Sequence, residues 1–251
     1  MRLQGKMLEQ HGVAEIVPLR TTNGLLYRVI VGRETDSAEA ARLLRVPQST
    51  LHYWLDGLER GTKRYPPVIR DGPTGERSVT WGEFVEAGLL RQYRRVHKVK
   101  LSELRTFIEA MRDRFGIPYP LAHRRPYVGA GRHLVSELQD EAGLDGELRL
   151  VVYAGGQLLL SAVGDAFYSR VEWDDDVAVA WRPHDDPSSP VRIRPTRRWG
   201  LPEVKGIKTS VLWEQVESGA DFHEVAEAFG LTTGDVRWAW AYEDSAQTST
   251  A

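Results

Sequence analysis

The chain of 251 residues contains no cysteine. Disulfide scaffolds, thiolate zinc sites, iron–sulfur clusters and cysteine nucleophiles are therefore excluded. It also lacks any apolar run near the ~18–20 residues that a membrane span requires. Glu9, His11 and Glu15 stand where a secretory signal would need an apolar stretch, so a cytoplasmic protein with no membrane contact is expected. Catalytic motifs are missing as well. No His-Glu-x-x-His, Gly-x-Ser-x-Gly or phosphate-loop run occurs, and the seven histidines are scattered. Gly129-Ala130-Gly131 lacks the third glycine of a dinucleotide loop and reads as a turn. Asp174-Asp175-Asp176 lacks the spaced ligands of a calcium loop and reads as a hairpin turn. These absences predict a protein that is not an enzyme and carries no cofactor or metal.

What is present is ordinary in amount and uneven in placement. Hydrophobic residues make up 41% and charged residues 27%, enough for a proper core. The net charge of −2 conceals two opposite halves. Residues 1–125 hold 22 Lys and Arg against 14 Asp and Glu, a net of +8. Residues 126–251 hold 11 against 21, a net of −10. Such asymmetry suits halves that meet different partners.

Residues 1–26 show no clear period, and Val29 to Val31 suits a short strand. Asp36 or Ser37 can cap a helix carrying Ala38, Ala40, Ala41, Leu43 and Leu44, which must stop before Pro47. A second helix is predicted from Gln48 to Leu58, since Leu51, Trp54, Leu55 and Leu58 share one face, with Gly61 ending it. Tyr65 to Arg70, the turn Asp71 to Gly75, and Ser78-Val79 read as a two-stranded wing. Thr80 and Glu83 fit a capping box for a helix to about Tyr93. Leu101 to Phe115 is amphipathic, with Leu104, Ile108 and Met111 on one side, and Gly116 and Pro118 stop it.

Beyond about residue 130 the period changes. Leu148 to Tyr153 with Gln157 to Leu160, and Val171 to Trp173 with Val177 to Trp181, read as two hairpins. Val191 to Ile193 is a last short strand. Three helices follow, capped by Ser210, by Asp221 and by Thr232 or Thr233. The fold class is α+β, with one unit at about 27–122 and a mixed unit at about 130–251. Trp54 and Trp81 are expected in the first core. Trp173, Trp181 and Trp199 are expected in the second.

Two helix–turn–helix patterns stand out, at 37–58 and at 221–242. In the first, Ala40 and Ala41 permit close crossing and Val46 plugs the turn. The opposite face of its second helix presents Gln48, Ser49, His52, Tyr53 and Asp56. Gln pairs bidentately with adenine, and Ser donates to a base or a phosphate. Arg60, Lys63, Arg64, Arg70 and Arg77 are predicted to hold phosphates, which sets affinity and salt dependence. A basic run of Arg91, Arg94, Arg95, Lys98 and Lys100 reads first as a solvated face and second as an auxiliary DNA contact.

Residues 37–54, read as Ser37-Ala38-Glu39-Ala40-Ala41-Arg42-Leu43-Leu44-Arg45-Val46-Pro47-Gln48-Ser49-Thr50-Leu51-His52-Tyr53-Trp54, resemble the N-terminal winged helix of MerR-type regulators. The similarity continues through Val79 to Phe84 and Val99 to Arg105. His52 stands where those regulators usually have Arg, and Pro118 and Pro120 replace their long dimerising coiled coil. The C-terminal segment, about 191–243, resembles a small antitoxin domain of unknown function found in VapB-type proteins. The residues carrying this are Trp199-Gly200-Leu201-Pro202, Gly206, Thr209, Val211 to Glu217, Gly219, Asp221, Val225-Ala226, Phe229-Gly230-Leu231-Thr232, Val236, Ala239 and Tyr242-Glu243. Trp238 and Trp240 are bulkier than that pattern. The combination looks like the larger VapB antitoxins. It implies an antitoxin of a type II toxin–antitoxin pair. Such a protein neutralises a PIN-domain ribonuclease toxin and represses its own operon by binding double-stranded operator DNA, as a homodimer or a toxin–antitoxin hetero-oligomer. The other reading of the residues is a ligand-responsive regulator with a small-molecule pocket in the central β-rich region.

Overall fold

The computed structural model describes residues 15–20, 26–31, 35–96, 101–196 and 200–248. It is a mixed α+β arrangement of nine α-helices and several small antiparallel sheets among these residues. Strand β1 (Glu15–Arg20) pairs with β2 (Leu26–Val31), from Glu15 opposite Val31 to Arg20 opposite Leu26. Strand β3 (Thr35–Asp36) leads into helix α1 (Ser37–Leu44). Asp36 caps it, its Oδ1 accepting from the Ala38 amide at 2.8 Å. Helix α1 ends at Arg45, ahead of Pro47, which is disfavoured inside a helix.

Helix α2 (Gln48–Asp56) stops two residues short of the predicted end. Leu58 does sit at helical spacing from Leu51 and Leu55. Gly57, however, adopts a φ of +79°, and Leu58 leaves the helix, 41% exposed. It begins strand β4 (Leu58–Arg60), which pairs with β5 (Lys63–Tyr65) around Gly61 and Thr62. The predicted wing is corrected accordingly: the hairpin is 58–65. Pro66 and Pro67 have no N–H to give to a ladder. Strand β6 (Ser78–Val79) pairs instead with β3, Thr35 opposite Val79.

Helix α3 (Trp81–Val96) opens on the expected capping box. The Thr80 amide donates to Glu83 Oε2 at 2.8 Å, and the Glu83 amide to Thr80 Oγ1 at 3.3 Å. Helix α4 runs over Leu101–Phe115 as predicted, ending at Gly116 with a φ of +65°. Helix α5 (Ala130–Glu141) was not legible in the sequence. Gly131 looks like a breaker, but a Cβ there would lie 1.8 Å from the Arg125 carbonyl oxygen, so only glycine fits the contact.

Strands β7 (Val151–Ala154) and β8 (Gln157–Leu160) form the first expected hairpin, turning through Gly155 and Gly156, both at positive φ. Helix α6 (Ala162–Tyr168) follows, capped by Ser161. Strands β9 (Val171–Asp174), β10 (Val177–Trp181), β11 (Arg192–Ile193), β12 (Pro202–Val204) and β13 (Ile207–Lys208) make one five-stranded antiparallel sheet in the order β13-β12-β11-β10-β9. Three helices close the described chain: α7 (Thr209–Glu217), α8 (Phe222–Phe229) and α9 (Thr233–Thr248). Lys208, not Ser210, precedes α7, and it gives no side-chain cap. Asp221 caps α8 with a complete capping box, and Thr232 with Asp235 does the same for α9.

One hydrophobic core runs from Ala40 to Ile193 and includes Trp54, Tyr93, Phe107 and Trp181. It is continuous across residues 122–130. Trp81 Nε1 donates to the Ala178 carbonyl at 2.6 Å, and the Trp181 ring lies where a Cβ on Gly88 would stand, 2.7 Å away. A second core gathers Val191, Val204, Leu212, Val225, Ala226, Val236, Ala239 and Tyr242. Trp199 lies outside the described residues. No helix among the described residues is long and apolar enough to cross a membrane.

Candidate nucleic-acid interface

Leu51, Trp54 and Leu55 are buried, which fixes the roll of α2. Gln48, Ser49 and His52 therefore face solvent, and Tyr53 is half-buried. Gln48 Nε2 rests 3.4 Å from Ser37 Oγ. The Ser37 amide in turn donates to the Arg77 carbonyl at 2.8 Å. Gln48 and the exposed Arg77 are thus held on either side of Ser37. Helix α2 begins at Pro47 without a side-chain cap.

The β4–β5 hairpin stands beside the end of α2 with every residue exposed. Arg60 faces Lys63 at its tip, and Glu59 faces Arg64. Arg64 Nε lies 3.3 Å from Glu59 Oε1, both side chains about 70% exposed. The hairpin base is fastened from α4: Arg105 donates to the carbonyls of Pro67 and Pro66 at 2.5 and 2.6 Å. Its return strand crosses Gly57 so closely that a Cβ would lie 2.3 Å from the Tyr65 oxygen.

Arg70 is the correction among the predicted phosphate contacts. It is buried, with Nε and Nη2 on Glu83 at 2.8 and 3.3 Å and Nη1 on Asp56 Oδ1 at 3.0 Å. It also donates to Thr74 Oγ1 and to the Glu76 and Ser78 carbonyls. Burying a guanidinium requires such pairing, and no donor is left over for a phosphate. Asp56 is corrected for the same reason. It turns inward, accepting also from the Thr74 amide at 2.8 Å. Burial alone would raise its pKa, but the Thr74 amide and the Arg70 guanidinium hold it below the ordinary range.

Arg91 of the auxiliary basic run is buried rather than solvated. The side chains of Arg94 and Arg95, with Lys98 and Lys100, lie outside the described residues. The surface that remains brings together Gln48, Ser49, His52, Tyr53 and Arg77 around α2, and Arg60, Lys63 and Arg64 on the hairpin. Chemically it offers amide and hydroxyl donors for base edges, flanked by cations for phosphates. Two further arginines, Arg45 in the α1–α2 turn and Arg105 under the hairpin base, hold this surface in place through long-range contacts. Arg45 had one signal in the sequence, a bulky residue in a helix–helix turn where glycine is the usual choice. Arg105 had none.

A cavity of about 320 Å³ lies beneath the 69–80 loop, lined by Arg70, Thr80, Glu83, Arg112 and Tyr119 among others. Its lining runs from Ile69 to Tyr119, outside the central β-rich region, and its charges already answer one another: Arg70 with Glu83, and Arg112 with Asp71 at 2.9 Å. Among the described residues no group of three or more His, Asp or Glu could hold a metal ion.

No family model matches the chain. The uncharacterized protein Rv2308 of Mycobacterium tuberculosis is 34% identical over 209 residues, which is 82% of this chain and 87% of that protein. A protein of the same organism named "Putative antitoxin VapB45" is 26% identical over 215 residues, covering 80% and 89%. The crystal structure of Rv2018 from M. tuberculosis superimposes with a TM-score of 0.66 at 24% identity, over 82% of this chain and 96% of that one. At that identity the likeness is one of fold.

Proposed function

The chain belongs to the family of the M. tuberculosis protein Rv2308, and from that premise we propose that it is a DNA-binding antitoxin of a type II toxin–antitoxin pair. It works in the cytoplasm. The observation that carries the reading is the exposed face of α2 beside a cationic hairpin. In this reading α1, the 45–47 turn and α2 are a MerR-like helix–turn–helix with β4–β5 as its wing. Gln48, Ser49, His52 and Tyr53 meet bases in the major groove. Arg60, Lys63, Arg64 and Arg77 hold phosphates. The name of VapB45, a relative over most of both chains, supports a toxin partner.

The unit at about 130–251 would hold the dimer and toxin contacts, centred on 191–243. Residues 209–248 carry eight Asp and Glu against a single Arg, and all of these carboxylates but Asp235, which is buried against Lys205, are at least partly exposed. A surface of that sign complements the basic RNA-binding face of a PIN-domain ribonuclease and repels a DNA phosphate backbone. The antitoxin would then block the nuclease with one half and repress the shared operon with the other.

The test is the full chain with Arg64→Glu and Arg77→Glu together. In a gel shift at physiological salt, operator binding is lost. In co-purification with the protein of the adjacent gene, a stoichiometric nuclease is retained and stays inhibited. Unchanged operator affinity would sink the DNA reading, and a chain that travels without a nuclease would sink the antitoxin reading.

A further inference from the structure

The two helix–helix turns of this chain are built alike. After α1 the Val46 amide donates to the Ala41 carbonyl at 3.0 Å, and after α8 the Leu231 amide donates to the Ala226 carbonyl at 2.9 Å. Each turn passes through one residue in the left-handed region. In the second it is Gly230, at φ 65° and ψ 34°. In the first it is Arg45, at φ 52° and ψ 50°. A residue with a Cβ is disfavoured there, whereas glycine is not. The Arg45 side chain shows what the position is used for. Its Nη2 donates to the Tyr242 carbonyl at 3.1 Å and to Ser245 Oγ at 2.8 Å, both in α9. Its guanidinium lies over the Tyr242 ring, 5.1 Å from the centroid. The same helix is gripped from the sheet side. His184 meets the rings of Trp238 and Tyr242 edge-on, at 5.1 and 5.7 Å.

We infer that Arg45 is a positioning residue that ties α9 to the α1–α2 turn, so that docking of α9 and presentation of α2 are linked. The inference rests on the reading that α2 faces DNA. The turn sets the angle between α1 and α2, and hence where Gln48, Ser49 and His52 stand. A tie between α9 and that turn makes the position of α9 felt at the reading face. Linkage is reciprocal. A partner that draws α9 away changes DNA affinity, and DNA changes that partner's affinity by the same factor.

The experiment uses full-length Arg45→Gly and Tyr242→Leu. The first removes the tie while relaxing the turn backbone. The second removes the ring that Arg45 covers and leaves Arg45 in place. Hydrogen exchange of the α9 amides and affinity for the DNA upstream of the gene are measured in one buffer. Exchange in α9 is expected to rise about tenfold or more in both variants. DNA affinity is expected to shift in the same direction in both, by about fivefold or more. If Arg45→Gly alone alters DNA binding, the effect belongs to the relaxed turn or to a direct phosphate contact of Arg45, and the linkage is overturned. Unchanged α9 exchange in both also overturns it. Should Tyr242→Leu fail to fold, Ser245→Ala takes its place, with a smaller shift of the same sign expected and no shift overturning the inference. A wild-type chain that binds no upstream DNA overturns the DNA reading and the linkage together, and α9 exchange in Arg45→Gly then reports the tie alone.

Discussion

Arg70 and Glu83 meet as a two-bonded pair in the protein interior, Nε to Oε1 at 2.8 Å and Nη2 to Oε2 at 3.3 Å. Neither side chain is more than 6% exposed. Asp56, at the last turn of α2, completes the group from the other side of the guanidinium. Three charges from three segments therefore fasten α2 to the start of α3 and to the loop between them.

Arg70→Met follows directly. It leaves Asp56 and Glu83 buried without their cation, a change that costs about 3–5 kcal/mol. For a chain of this size the melting temperature falls on the order of 10 °C. Thermal unfolding by circular dichroism checks it. A variant that melts as the wild type but binds DNA less well would return Arg70 to the phosphate contacts.

Gly57 is held to glycine by both backbone and space. Its φ of +79° with ψ of −167° is a region almost confined to glycine. Gly57→Ala is expected to cost about 1–3 kcal/mol and to push the hairpin off its seat. Gly61→Ala, at the hairpin tip, meets nothing within 4 Å and carries only the cost of its φ of +57°. The two variants separate seating from tip flexibility: DNA affinity falls markedly in the first and little in the second. Equal affinities would show that the hairpin position does not matter to binding.

These two positions also show how far the sequence could be read. Capping residues, glycine turns and helical stripes act within a few residues of themselves. Helices α4 and α8 and the two glycine- and aspartate-turned hairpins were therefore legible. The end of α2 was not, because Leu58 continues the apolar spacing of Leu51 and Leu55. Gly57 is a local stop signal that competes with that spacing, and the return of Tyr65 across it shows that the helix has ended. Arg70 reads as one more surface cation until Glu83 and Asp56, 13 and 14 residues away, are seen to enclose it. Helix α5 was hidden by Gly131, whose need for glycine comes from the distant Arg125 carbonyl. The candidate DNA face was half legible for the same reason. Periodicity rolls α2 correctly, but which cations stay free depends on long-range pairing.

Glu86 makes stability depend on pH in an unusual direction. Burial pushes its pKa up to about 8 against an ordinary value of 4.5, although Arg112 Nη2 at 3.8 Å pulls the other way. The folded state therefore holds this proton more tightly than the unfolded state. Its contribution is full below about pH 4.5 and is lost as pH rises through about 8. His123, buried and pushed down to about 4, works oppositely, costing stability as pH falls from its ordinary 6.5. Glu86→Gln keeps an acceptor for the Leu121 amide, which now donates to Oε1 at 3.0 Å. Denaturant unfolding at pH 5 and pH 9 is the measurement. The variant is expected to gain about 1–3 kcal/mol on the wild type at pH 9 and little at pH 5. An equal difference at both pH values would show that Glu86 does not titrate in this window.

The Glu59–Arg64 pair on the hairpin gives the most selective test of the cationic surface. Both side chains are about 70% exposed, so the pair adds at most about 1 kcal/mol to stability. In the DNA-bound state proposed for the hairpin, Arg64 must leave Glu59 for a phosphate, and the carboxylate stays behind as a local repulsion. Glu59→Gln removes both penalties without adding a contact. It is expected to leave the melting temperature unchanged and to tighten operator binding about two- to tenfold at low salt, with less effect as salt screens the charge. Arg64→Gln is expected to weaken binding and to lower the slope of log affinity against log salt by about 1. Opposite signs from two neutralising substitutions 3.3 Å apart cannot come from a change in folding, since both break the same surface pair. If both weaken binding, or neither changes it, the hairpin does not lie on the phosphate backbone.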